Sequence, residues 1–186
     1  MGGSVRPVSG CAGPGREPVT RLSLSGRRLE LWLALAIVLL DQLTKAMVRV
    51  SVPLYGSVQV VPGLLNLTNV RNTGAAFGIL NAVDFPFKTT LIAFIATAAL
   101  LGVAVYAASL APHQRAARIG LALILGGAAG NLLDRVAHGS VVDFVDVYWQ
   151  HYHFWAFNVA DSAITVGVAV LILDMLRTAP HVSDVV

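Results

Sequence analysis

The chain has 186 residues, of which 56% are hydrophobic and only 12% are charged, with a formal net charge of +3. Soluble domains are about 45–50% apolar and about 25% charged, so this composition excludes an ordinary soluble domain, a disordered chain, a collagen and a nucleic-acid binder. Its single cysteine, Cys11, excludes a disulfide scaffold.

The first 28 residues are rich in Gly, Ser, Pro and Arg, with Arg6, Arg16, Arg21, Arg27 and Arg28 against only Glu17. They read as a disordered basic tail. No apolar stretch precedes Cys11 in this sequence, so Val8-Ser9-Gly10-Cys11 reads as an accidental match to a lipoprotein cleavage box. Four apolar segments follow, at about 31–48, 87–110, 119–136 and 159–176, each long enough to cross a hydrocarbon core. Together they make one transmembrane domain over 29–178, with a short tail at 179–186. Between the first two, Ser57-Val58-Gln59-Val60-Val61 and Leu64-Leu65-Asn66-Leu67-Thr68-Asn69-Val70 flank Pro62-Gly63 and read as strands of a small sheet. The expected fold is therefore an all-α polytopic membrane protein of four transmembrane helices, with a small extracytoplasmic sheet and an interfacial loop.

Lys and Arg set the expected orientation. The N-terminal arginines, Arg115 and Arg118 between the second and third spans, and Arg177 after the fourth all fall on one side. The stretch 51–86 carries only Arg71, and 137–157 carries no Lys or Arg. The positive-inside rule then puts both termini in the cytoplasm and these two loops outside.

Ionisable residues inside spans are costly and mark function. The first span holds Asp41 and Lys45, the third Asn131, Asp134 and Arg135, and the fourth opens with Asn158 and Asp161. With that orientation all of them fall in the outer third of the membrane, which points to one site. Asp41 with Lys45, and Asp134 with Arg135, read as structural pairs. Asn158 and Asp161, three residues apart, suit a helix cap as well as a site. Asp143 and Asp161 then lack a basic partner, and Asp146 reads as unpaired at the wet interface. Two close carboxylates share a proton, and such a pair can activate water with one member and donate a proton with the other. Spacing alone leaves their meeting open. Gly126, Gly127 and Gly130 form a small-residue face for helix packing. His151 and His153 have strand spacing, but no Cys or Glu joins them for a metal site. Trp149, Tyr152, Phe154 and Trp155 read as an interfacial aromatic belt. Two rival readings use the same buried charges: a small proton- or cation-coupled transporter, and a structural subunit that buries them against a partner.

Four motifs narrow this. Asp41-Gln42-Leu43-Thr44-Lys45, then Asn72-Thr73-Gly74-Ala75-Ala76-Phe77-Gly78, then Gly130-Asn131-Leu132-Leu133-Asp134-Arg135 continuing to Val141-Val142-Asp143-Phe144, then Phe157-Asn158-Val159-Ala160-Asp161 resemble, in order, the motifs of bacterial lipoprotein signal peptidase (signal peptidase II). The resemblance covers about 30–176. It implies an intramembrane aspartyl endopeptidase of the bacterial inner membrane. Such an enzyme cuts signal peptides from diacylglyceryl-modified prolipoproteins just before the lipid-modified cysteine. It implies Asp143 and Asp161 as the catalytic dyad, and Asp41, Lys45, Asn72, Asn131, Asp134, Arg135, Asn158 and Ala160 as supporting residues. It also implies no metal or other cofactor, no nucleic-acid partner, contact with membrane lipids, and inhibition by globomycin. Trp155-Ala156 departs from the family, many of whose members carry a proline two residues before the phenylalanine.

Overall fold

The structure, a computed structural model, describes residues 27–74, 83 and 85–178. The stretch up to 26, the tail 179–186 and Ala75-Ala76-Phe77-Gly78 of the second motif lie outside the described residues.

Four helices, α1 (Arg28–Ser51), α2 (Lys88–Ser109), α3 (Arg115–His138) and α4 (Val159–Thr178), account for the four apolar segments. All are long and apolar enough to cross a membrane. α1 and α3 overrun their apolar stretches by two to four residues at each end, because polar residues continue the helix into the interface. α3 stops at Gly139, whose left-handed backbone (φ 71°) lets its N–H bond Arg135 O at 3.0 Å.

The strands are β1 (Ser57–Val61), β2 (Leu65–Asn72), β3 (Val141–Trp149) and β4 (Tyr152–His153). They form an antiparallel sheet in the order β1-β2-β3-β4. β1 and β2 are the two runs flanking Pro62-Gly63. β3 was not expected: its acidic residues hide the alternation. Its pairing with β2 sets Asp143 opposite Val70 and Val141 opposite Asn72.

The interior is polar. The largest fully buried side chains are Lys45, Val141, Val142, Asn158, Asp41 and Asp134, whereas α2 turns Leu91, Phe94, Ile95, Leu101 and Val105 outward. That inversion suits a lipid environment, where apolar surface faces acyl chains and polar groups must find partners within the protein. α3 is the central element, and glycines let it approach its neighbours. A Cβ on Gly127 would lie 2.4 Å from Ala160 O of α4, and one on Gly126 would lie 2.8 Å from Ala34 O of α1. Val48, Val52, Val142 and Phe144 form a small apolar core that fastens the end of α1 to β3.

Candidate active site

The polar residues gather at the end of the bundle that carries the sheet. α1 presents Asp41, Lys45 and Arg49 at intervals of four, hence on one face. α3 presents Asn131 and Asp134 toward them. Lys45 Nζ donates to Asp41 Oδ2 at 2.7 Å and to Asn131 Oδ1 at 2.9 Å, and lies 2.8 Å from Asp134 Oδ2. The expected pairing of Asp41 with Lys45 is present. The expected pairing of Asp134 with Arg135 is not: Asp134 binds Lys45 and Arg49, while Arg135 donates to Asn131 O at 3.3 Å and to Gly74 O at 3.1 Å. Adjacent residues on a helix point about 100° apart, so the two face different neighbours.

Asp41 also caps a foreign helix. Its Oδ1 accepts the Ala160 N–H at 3.0 Å, one of the backbone donors left free at the start of α4. Ala160 is completely buried, and its contribution is this N–H. Gln42 ties the same carboxylate to the Gly130 carbonyl, donating to Asp41 Oδ2 at 3.2 Å and to Gly130 O at 3.1 Å.

α4 begins with a reciprocal cap. The Asp161 N–H donates to Asn158 Oδ1 at 2.9 Å, and the Asn158 N–H donates to Asp161 Oδ2 at 3.3 Å. The expected helix cap of Asn158 and Asp161 is therefore present. The Asn158 side-chain amide reaches the other carboxylate, donating from Nδ2 to Asp143 Oδ1 at 2.7 Å. Asn158 thus touches both Asp143 and Asp161.

Three amides aim their NH2 groups at these two carboxylates. Asn72 donates to Asp143 Oδ2 at 3.0 Å, Asn158 to Asp143 Oδ1, and Asn131 to Asp161 Oδ1 at 2.8 Å. Each amide is held in that sense by a donor on its oxygen: the Gly74 N–H for Asn72 at 3.0 Å, the Asp161 N–H for Asn158, and Lys45 for Asn131. Asp143 lies on β3, outside the helical spans. Burial, and next the charge of Asp161, push its carboxyl up to about 6, against the opposing pull of Asn72, Asn158 and Lys45.

One residue took a different place from its sequence reading, and two more gained a partner that the sequence had not assigned. Asp146 is not unpaired: it accepts from Asn66 Nδ2 at 3.0 Å and lies 3.0 Å from His153 Nδ1. His153 is thereby directed to a carboxylate and stacks on Tyr148, with ring centroids 5.1 Å apart. Arg49 was missed because it lies one residue past the apolar stretch; its four-residue spacing from Lys45 was the available signal.

Four spans around a buried carboxylate–amide cluster define a polytopic membrane protein equipped for acid–base chemistry. A family model described as signal peptidase (SPase) II matches residues 33–177. Proteins named lipoprotein signal peptidase from Geobacter metallireducens and Geobacter sulfurreducens are each 48% identical to this chain, covering 74% and 77% of it and 84% and 88% of their own lengths. One from Pseudomonas aeruginosa is 43% identical over 82% of this chain and 90% of its own. A solved structure described as a bacterial membrane enzyme superposes with a TM-score of 0.72 at 34% identity, covering 80% of this chain and 88% of that one. The chain belongs to the signal peptidase II family, and it is an aspartic-type peptidase of the membrane.

Proposed function

We propose that Asp143 and Asp161 are the catalytic dyad of a lipoprotein signal peptidase. Its substrates are prolipoproteins, cut just before their diacylglyceryl-modified cysteine. The observation that carries the assignment is the bridge made by Asn158, bonded to both carboxylates in a buried setting. Charge balance supports it. Among the described residues the network holds Asp41, Asp134, Asp143 and Asp161 against Lys45, Arg49 and Arg135. Four acids against three cations leave one excess negative charge, which a single proton on the dyad removes.

In that state the ionised aspartate takes a proton from water while the protonated one donates to the scissile carbonyl oxygen. The products of this step are a tetrahedral gem-diol and a dyad with its proton exchanged between members. Collapse then returns a proton to the leaving amine and frees the peptide. Asn72, Asn131 and Asn158 hold the carboxylates, Arg135 holds the backbone at Gly74, and Asp41, Lys45, Asp134 and the Ala160 N–H fix α1, α3 and α4 around them. With both termini cytoplasmic, the site lies at the outer leaflet of the bacterial inner membrane. Acyl chains can stay in the bilayer there while the peptide bond reaches the polar centre. Globomycin is the expected inhibitor.

The test is a gel-shift assay of the purified protein in detergent with a diacylated prolipoprotein, with and without globomycin. Conversion to a shorter product, blocked by globomycin, is expected. Intact substrate after incubation with folded protein would overturn the reading.

A further inference from the structure

Arg49 has no place in the four motifs, yet it is built into the network. It follows Asp41 and Lys45 on the same face of α1 and reaches across to Asp134 Oδ1. Asp134 is fully buried and takes Lys45 on its other oxygen. Lys45 in turn grips Asn131 Oδ1, and the NH2 of the same amide donates to Asp161. The chain of contacts therefore runs Arg49, Asp134, Lys45, Asn131, Asp161.

Two consequences follow from elementary electrostatics. Without Arg49, Asp134 would be neutralised by Lys45 alone. The ammonium would then be drawn away from Asp41 and from the Asn131 oxygen, and that oxygen would keep only its longer bond from Asn158 Nδ2, at 3.2 Å, in place of the charged donor. The network would also carry a second excess negative charge, which favours a further proton on the dyad.

We infer that Arg49 is a positioning residue for the peptidase reaction: by balancing Asp134 it keeps Lys45 on Asn131 and sets the pH range in which the dyad holds one proton. This rests on the assignment of Asp143 and Asp161 as the dyad. The charged and titratable groups around Asp134 come from each element packed there. α1 brings Asp41, Lys45 and Arg49, and α3 itself brings Arg135 and His138, whose Nδ1 lies 3.7 Å from Asp134 Oδ1. β3 brings Asp143 and α4 brings Asp161. Lys88 of α2 donates to Val83 O. Arg49 is the guanidinium at the rim that contacts Asp134 directly.

The experiment is the pH–rate profile of purified Arg49→Met, Arg49→Lys and Asp134→Asn in detergent, with a diacylated prolipoprotein and Asp143→Asn as reference. Removing the cation favours protonation, so both limbs of the Arg49→Met profile should move to higher pH by about half to one unit, with KM little changed. Arg49→Lys should return both limbs to their wild-type positions. Asp134→Asn removes an anion and should move them to lower pH, and this arm decides the matter if Arg49→Met does not fold. A folded Arg49→Met whose rate falls equally at all pH values, with unmoved limbs, would reduce Arg49 to a packing role and overturn the inference. So would unmoved limbs in Asp134→Asn. An active Asp143→Asn enzyme would instead overturn the dyad itself, so the two failures are told apart.

Discussion

Asp143 shows how a single carboxyl is placed between stability and chemistry. It is almost fully buried, it accepts two amide donors, and it feels the charge of Asp161. The unfolded chain ionises this group near 3.8, whereas the folded chain does so at about 6. Between those values the folded state binds more protons, so stability falls as pH rises and the loss is complete above about 6. At full size this term is about 3 kcal/mol. Asp143→Asn lacks the titration, so its stability relative to wild type should climb from pH 4 to pH 6 and then level off. Thermal unfolding in detergent across that range checks the slope; parallel curves for the two proteins would contradict it. The same variant, and Asp161→Asn, should each leave less than about a tenth of wild-type turnover, a loss above about 1.4 kcal/mol of transition-state stabilisation. An amide cannot take the proton of water or share one with a partner carboxyl. Folded enzyme that kept more than that would remove the residue from the dyad.

At the scale of the elements, the site depends on how closely α3 can lie against α1 and α4. Gly127 faces the Ala160 carbonyl, and Gly130 faces Asp41, where a Cβ would lie 2.6 Å from Oδ2. Backbone oxygen cannot step aside as a flexible side chain can. Gly127→Ala should therefore push α4 away from α3 and cost about 1–3 kcal/mol, the usual range for overpacking. It should also reduce activity, because Ala160, Asn158 and Asp161 move with the start of α4. Gly102→Ala in α2, with open space around the added carbon, is the matched control and should be neutral or slightly stabilising. Melting temperatures of both variants, read beside their turnover, make the comparison. Equal stability of the two would mean that the α3–α4 contact has slack. Close backbone contact thus brings the polar groups together, with Asp41, Lys45 and Asp134 on counter-charges and Asp143 on amide donors.

The whole molecule is arranged with its polar centre at one end. The sheet, the outer turn of α1, the end of α3 and the start of α4 all meet there. The other end is fastened separately: Glu30 of α1 pairs with Arg118 of α3 at 2.8 Å, and Arg27 donates to the carbonyls of Ala107, Ala108 and Leu110 beyond and at the end of α2. Those carbonyls have no helical partner, and a guanidinium suits them. We propose that this fastened end is cytoplasmic, in keeping with its arginines. Single cysteines at position 57 on β1 and at position 113 between α2 and α3, in a Cys11-free background, should react oppositely with a membrane-impermeant reagent on intact cells. Position 57 should label and position 113 should not; the reverse pattern would invert the topology.

The sequence by itself determined the four spans, because runs of apolar residues about 20 long have no other stable use in so weakly charged a chain. It determined β1 and β2 as well, through β-branched and leucine-rich runs around Pro62-Gly63. Asp41, Lys45, Asp134 and Asp161 stood out because ionisable groups inside spans are rare, whereas Asn72 and Ala160 were named only through the resemblance of their motifs to a family. The sequence supplied the pairing of Asp41 with Lys45, four residues apart, but not the partners distant in sequence. Lys45 meets Asp134 across 89 positions of sequence, and Asp41 meets the Ala160 N–H across 119, so helical spacing is silent about both. The need to pair charge in a membrane suggested Asp134 with its neighbour Arg135, and only the packing of α1 on α3 gave Asp134 to Lys45 and Arg49. β3 was equally hidden, because Asp143 and Asp146 interrupt its apolar pattern until β2 and the helix ends bury one of them. The same packing lets one short stretch, 158–161, both cap α4 and reach Asp143. Asn158 has two ends, and the fold gives its oxygen to α4 and its NH2 to Asp143. Charge in a low-dielectric interior is tolerated beside a counter-charge or strong hydrogen-bond donors, so the composition foretold that such partners exist, and the tertiary structure decided which they are wherever they lie far apart in sequence.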